Sequence, residues 1–144
     1  MLDLFPHRIV CLTEETTEWL YLLGEEARIV GISGYTVCPR RARDEKPKVS
    51  AFLSAKIDKI LALKPDCVFG FSDLQADIAA LLIRAGVQVT VFNQRSVDEI
   101  FSMLRRQTSM NIQMIFEMRK ETFNAVSSFR NSFIIQKMEH IWNG

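Results

Sequence analysis

The sequence predicts an α/β fold: a three-layer, doubly wound lobe with about four parallel strands, followed by a long helical tail. Three observations carry this expectation. Short apolar runs alternate with helix-period segments from Arg8 to about Gln107, and that alternation implies parallel strands joined by crossovers. The run Cys67–Phe71 is short, apolar and bounded by a turn signal, as a strand covered on both faces would be. Turn and capping residues fall between the runs rather than inside them.

In chain order, Arg8–Leu12 is the first strand. Thr13 then suits a helix N-cap, and Glu14 and Glu15 suit the positive end of the helix dipole. Trp19, Leu20, Leu22 and Leu23 continue that helix until Gly24, which can close it in the left-handed conformation. Arg28–Ile32 is the second strand. Ser33 to Ala55 reads as a long irregular stretch with two of the four prolines and five basic residues, and loops of that length in compact domains are usually functional or disordered. Ile57, Ile60, Leu61 and Leu63 set an apolar stripe on a short helix. Pro65 stops it and biases Lys64 toward an extended backbone. After the strand Cys67–Phe71, Ser72-Asp73-Leu74-Gln75 has the spacing of a capping box, and the helix it opens ends near Arg84 and Gly86. Val87–Phe92 is a β-branched strand. Ser96-Val97-Asp98-Glu99 is a second capping box, opening a helix to about Gln107.

Thus residues 1–107 form the α/β lobe, and 108–144 form a separate tail. The tail has no proline, and its only glycine is the last residue. Ile112, Ile115, Phe116, Phe123, Val126 and Phe129 recur at helical intervals. A Met- and Phe-rich face of this kind either covers the sheet or pairs two chains.

Composition excludes several classes. The net charge is +1 over 144 residues, which gives no field for nucleic acid. No run is apolar enough to span a membrane. The N-terminus lacks the features of a signal peptide, so the chain as written reads as cytoplasmic. Three widely spaced cysteines form neither a disulfide framework nor a zinc pattern. Cys11 and Cys67 read as small buried hydrophobes, and Cys38 as an accessible thiol of little catalytic promise. The basic cluster Arg40, Arg41, Arg43, Lys46 and Lys48 is interrupted by acids and reads as a self-compensating surface. Glu14, Glu15 and Glu18 read as a solvated first turn. There is no phosphate loop, dinucleotide fingerprint, nucleophile elbow or His-based metal spacing. No catalytic residue, metal ligand or cofactor is expected.

The positive signal is an ordered set of segments: RIVCLTEETTEWLYLLGEEARIVGIS at 8–33, KPKVSAF at 46–52, KIDKILALKPDCVFGF at 56–71 and AGVQVTVFNQRSVDEIF at 85–101. Taken together they resemble the cobalamin- and iron-siderophore-type solute-binding proteins of ABC importers, most closely the cobalamin-binding branch. The resemblance covers residues 8–107. It implies one lobe of a two-lobed, non-enzymatic receptor that holds a corrinoid or similar metal chelate in a cleft, and an ABC permease as partner. By family it implies a periplasmic location. It places Tyr35, Phe52 and Phe71 as ligand-binding aromatics and Asp58 as a docking residue for the permease. The family has Trp where Phe52 stands, and Phe keeps the flat apolar wall while losing the indole donor. It prefers Glu at the docking position, so Asp58 has a shorter reach. One lobe binds weakly in this scheme. Losing a few hundred Å² of apolar contact at about 25 cal/mol per Å² amounts to several powers of ten in affinity.

The tail departs from the family's linker helix and second lobe. The expectation is a truncated or frame-shifted remnant, and the alternative is a dimerising interaction module acting through the C-terminal helix. A small α/β enzyme working at the same strand ends, through Cys38 or the first-helix carboxylates, is the weakest reading.

Overall fold

The computed structural model describes residues 6–50 and 55–111, with side chains described up to 107. Five strands, all parallel, form one sheet in the order β3-β2-β1-β4-β5. They are β1 (Ile9–Cys11), β2 (Ile29–Ser33), β3 (Lys48–Ser50), β4 (Cys67–Phe71) and β5 (Val89–Phe92). The α-helices are α1 (Glu14–Leu22), α2 (Arg40–Glu45), α3 (Ile57–Ala62), α4 (Ala76–Arg84) and α5 (Val97–Asn111).

The side-chain period of two splits the core into two layers. Ile9 and Cys11 of β1 and Cys67 and Phe69 of β4 face one side, where Trp19 and Leu20 of α1 and Ile100, Met103 and Leu104 of α5 cover them. Val10 and Val68 face the other side, with Ile60 of α3 and Ile78 and Leu82 of α4. Helices on both faces give the expected three-layer, doubly wound lobe. Strand order reverses at β1, because β2 and β3 lie on one side of it and β4 and β5 on the other.

The sheet has five strands where the sequence suggested about four. The additional strand β3, together with α2, lies inside the stretch read as irregular. Four of the five basic residues there are held internally. Arg41 pairs with Glu26 and Glu45 and stacks over the Tyr21 ring. Arg43 bonds loop carbonyls, Lys46 bonds the Glu26 carbonyl and Lys48 bonds the Arg43 carbonyl. The patch is compensated, as expected.

Local details depart from expectation in two places. Lys64 is left-handed at φ 48° rather than extended. It closes α3, and Arg8 stabilises that end through bonds from its guanidinium to the Leu63 and Lys64 carbonyls at 2.6–3.2 Å, where a cation complements the helix dipole. At Ser72 the capping box does not close reciprocally. Ser72 Oγ accepts from the Leu74 amide at 3.2 Å, and a 3-10 turn, Asp73–Gln75, precedes α4. The second box is closer to pattern, with the Glu99 amide donating to Ser96 Oγ at 3.2 Å. Gly24 is left-handed at φ +71° and closes α1 as anticipated.

The helix α5 passes through the proposed boundary at 107/108. The tail beyond Asn111, with its proposed dimerising face, lies outside the described residues, as does Phe52.

Candidate functional site

Every strand ends on the same edge of a parallel sheet, so the loops that follow β1, β2, β4 and β5 share one rim. The place where strand order reverses is the usual crevice for a ligand. Here it lies at the carboxyl ends of β1 and β4, with β2 on the far side of β1.

Two of the three predicted aromatics are described, and both are on this rim. Tyr35 stands two residues past β2 and is 63% exposed. Phe71 is the last residue of β4 and is half-buried. Their strands are separated by β1 alone, so at about 4.8 Å per strand step the two strand ends are roughly 10 Å apart. Phe52 follows β3 in the chain, and its placement lies outside the described residues. Asp58 is exposed in the first turn of α3.

Sequence reasoning missed the residues that support this rim. Gln75 is 1% exposed. Its Nε2 donates to the Leu12 carbonyl at 3.2 Å, and its Oε1 accepts the Phe71 amide at 2.8 Å. It therefore ties the end of β1 to the end of β4. Gly70 makes room for it, since a Cβ there would lie 3.2 Å from Gln75 Oε1. Glu14 was read as part of a solvated turn, yet its Oε1 accepts the amides of Val37 and Cys38 at 2.9 and 3.1 Å. Glu18 is buried, at 8% exposure. The sequence marks Gln75 only as the last residue of a capping box, a local role that its bonds to Leu12 and Phe71 replace. No sequence signal marks the Glu14 contacts, because its partners are remote in sequence.

Beside Glu14, the Glu15 carboxyl is pushed above its ordinary range, chiefly by desolvation, with the Glu14 charge adding to it. A raised carboxyl pKa means that the folded chain holds this proton more tightly than the unfolded chain. Stability from this group is therefore lost as pH rises through the raised value. We expect Glu15→Gln to gain in stability relative to the parent as pH goes from 4 to 8. Urea denaturation midpoints across that range provide the check, and parallel profiles contradict it.

The thiols give no activated nucleophile. Burial pushes Cys11 up to about 12 and Cys67 up to about 11, as small buried hydrophobes. Cys38 is also raised, first by burial and then by the charges of Glu18 and Glu14. That is the opposite of what a reactive thiolate needs. Among the described residues, no cluster of His, Cys, Asp or Glu is arranged to hold a metal. No described helix is long and apolar enough to cross a membrane.

Further along the rim, a recess of about 350 Å³ opens between the end of β5 and α5, lined by Phe92, Gln94, Ser102 and Arg106 among others. Gln94 is 5% exposed.

Tyr35 after β2 and Phe71 at the end of β4 thus flank β1, beside the switch point between β1 and β4. The chain belongs to the periplasmic binding protein family, whose model matches residues 9–126. Over 100 residues it is 29% identical to an uncharacterised ABC transporter substrate-binding lipoprotein of Bacillus subtilis (strain 168), covering 67% of this chain and 31% of the relative. Its fold is similar to the periplasmic vitamin B12 binding protein of Vibrio cholerae, with TM-score 0.71 and 25% identity over 87% of this chain and 47% of that one. It is similar also to a periplasmic heme binding protein of Pseudomonas aeruginosa, with TM-score 0.66 and 25% identity over 73% of this chain and 38% of that one. The chain thus spans less than half the length of each of these three proteins.

Proposed function

We propose that this chain is the solute-contacting N-terminal lobe of an ABC-importer binding protein, and that its solute is a corrinoid or a similar flat metal chelate. The observation that carries the reading is the placement of Tyr35 and Phe71 on one rim, on either side of β1. A corrin is a broad disc with apolar faces and polar edges. Aromatic side chains bury the faces, and strand-end backbone groups meet the edges. No covalent chemistry is required, so the role is non-enzymatic. Phe52 completes the aromatic set in this reading, and exposed Asp58 on α3 contacts the permease. The site of action is outside the cytoplasmic membrane, where the family works. The vitamin B12 and heme binding proteins to which the fold is similar support a metal-chelate solute.

The test is a titration of the purified chain with cobalamin, with heme, and with a ferric siderophore as comparison. Saturable binding of cobalamin in the micromolar range or weaker is expected, with the siderophore weaker still. Non-saturating signals from both tetrapyrroles overturn the proposal.

A further inference from the structure

The loop between β2 and α2 is fixed at every amide from residue 34 to 38. Gly34 N–H donates to the Ser50 carbonyl at 2.6 Å, and Thr36 N–H to the Ser33 carbonyl at 3.1 Å. Tyr35 N–H donates to Ser33 Oγ at 3.2 Å. Val37 and Cys38 share the Glu14 carboxylate at 2.9 and 3.1 Å. From the other side, Arg43 Nη1 donates to the carbonyls of Gly34 and Thr36 at 3.0 and 2.7 Å. A loop of exposed backbone has no need of so many protein partners, because water would satisfy the same groups.

What the loop presents is apolar. Thr36 is fully buried, while its neighbours Tyr35 and Val37 are 63% and 52% exposed. The side chains alternate inward and outward, so the ring and the isopropyl group stand together on the rim. Tyr35 and Val37 are thus two exposed apolar side chains on a loop whose backbone is already fixed, an arrangement suited to contact with an apolar ligand face.

We propose that this loop is a preset contact platform for the solute: Val37 is a contact residue beside Tyr35, and Glu14 and Arg43 are positioning residues that hold the platform in its binding geometry. The inference rests on the solute-binding reading and deepens it. The occupant is the apolar face of the flat chelate. Holding the loop before binding removes the ordering penalty that a free loop would incur on contact.

Two measurements on the full chain test it: NMR-detected amide exchange at Val37 and Cys38, and cobalamin affinity. Glu14→Ala is expected to speed exchange at both amides and weaken cobalamin at least tenfold. Glu14→Gln retains a carbonyl acceptor and is expected to restore most of both. Val37→Ser is expected to weaken cobalamin about fivefold with exchange unchanged. In a Tyr35→Ala, Val37→Ser background, Glu14→Ala is expected to have little further effect on affinity, which a general loss of folding would not produce. Unchanged exchange in Glu14→Ala overturns the clamp. Wild-type binding that Glu14→Ala and Val37→Ser leave intact overturns the platform while sparing the solute reading. No saturable binding by the wild-type chain overturns the solute reading and the platform with it, and the exchange data then still report on the clamp.

Discussion

Replacing both Tyr35 and Phe71 with alanine is expected to weaken cobalamin binding by a factor of several hundred or more. Aromatic anchors at the centre of a contact typically account for about 2 kcal/mol each or more on truncation. At about 1.4 kcal/mol per decade, two such anchors amount to roughly three powers of ten. Tyr35 has the area to supply its share, being 63% exposed. Burying about 100 Å² of ring against a corrin face gives roughly 2.5 kcal/mol. Phe71 is half-buried already, so it has less area left to bury, and its truncation also loosens packing at the end of β4. Melting temperatures measured beside the affinities separate those two consequences. Asp58→Ala serves as the contrast, because its place on α3 leaves cobalamin affinity unchanged in this reading. A double variant that binds as tightly as the parent removes the aromatic rim from the mechanism.

How much of this was legible follows from where the relevant forces act. Trp19, Ile60 and Phe69 are core residues whose elements lie within a residue or two of the sequence reading, whereas the helix that buries Leu82 starts at Ala76, after a 3-10 turn where the capping box predicts its first turn. The helix α2 and strand β3 were not legible, and the reason is physical. RRARDE buries Ala42 alone, so it carries no amphipathic stripe. KVS is three residues on a sheet edge with Lys48 exposed, too short to show a period. Both elements are held by remote partners rather than by local propensity: Glu26 pairs with Arg41 of α2, and Ile32 and Ser33 of β2 pair with β3. The candidate site was legible only as far as a family pattern could mark it, which placed Tyr35 and Phe71 on one rim. Its supports were invisible. Gln75 reaches a carbonyl 63 residues away, and Glu14 reaches an amide 24 residues away. No window-based reading of a helix start can tell a carboxylate facing water from one facing a loop.

Gln75 is where fold and site meet most tightly, and its replacement has the largest expected effect on stability. Gln75→Leu keeps the volume while leaving the Leu12 carbonyl and the Phe71 amide without their side-chain partner. An unsatisfied buried polar group costs about 1–3 kcal/mol, so the pair amounts to roughly 2–5 kcal/mol, a large part of the stability of a domain this size. Gln75→Glu separates the two bonds. A carboxylate still accepts from the Phe71 amide but cannot donate to the Leu12 carbonyl, and it faces that oxygen as a buried charge. Its pKa in the folded chain is then raised. By linkage, the variant is closest to the parent below the ordinary Glu range, where the protonated carboxyl can donate to Leu12. It loses stability as pH climbs through the raised value. Urea denaturation of the parent and both variants between pH 4 and 8 is the measurement. Because Gln75 joins β1 to β4 at the switch point, both variants are also expected to weaken cobalamin binding where they remain folded. A pH-independent Gln75→Glu profile, or a Gln75→Leu chain as stable as the parent, shows that the two strand ends hold their register without this side chain.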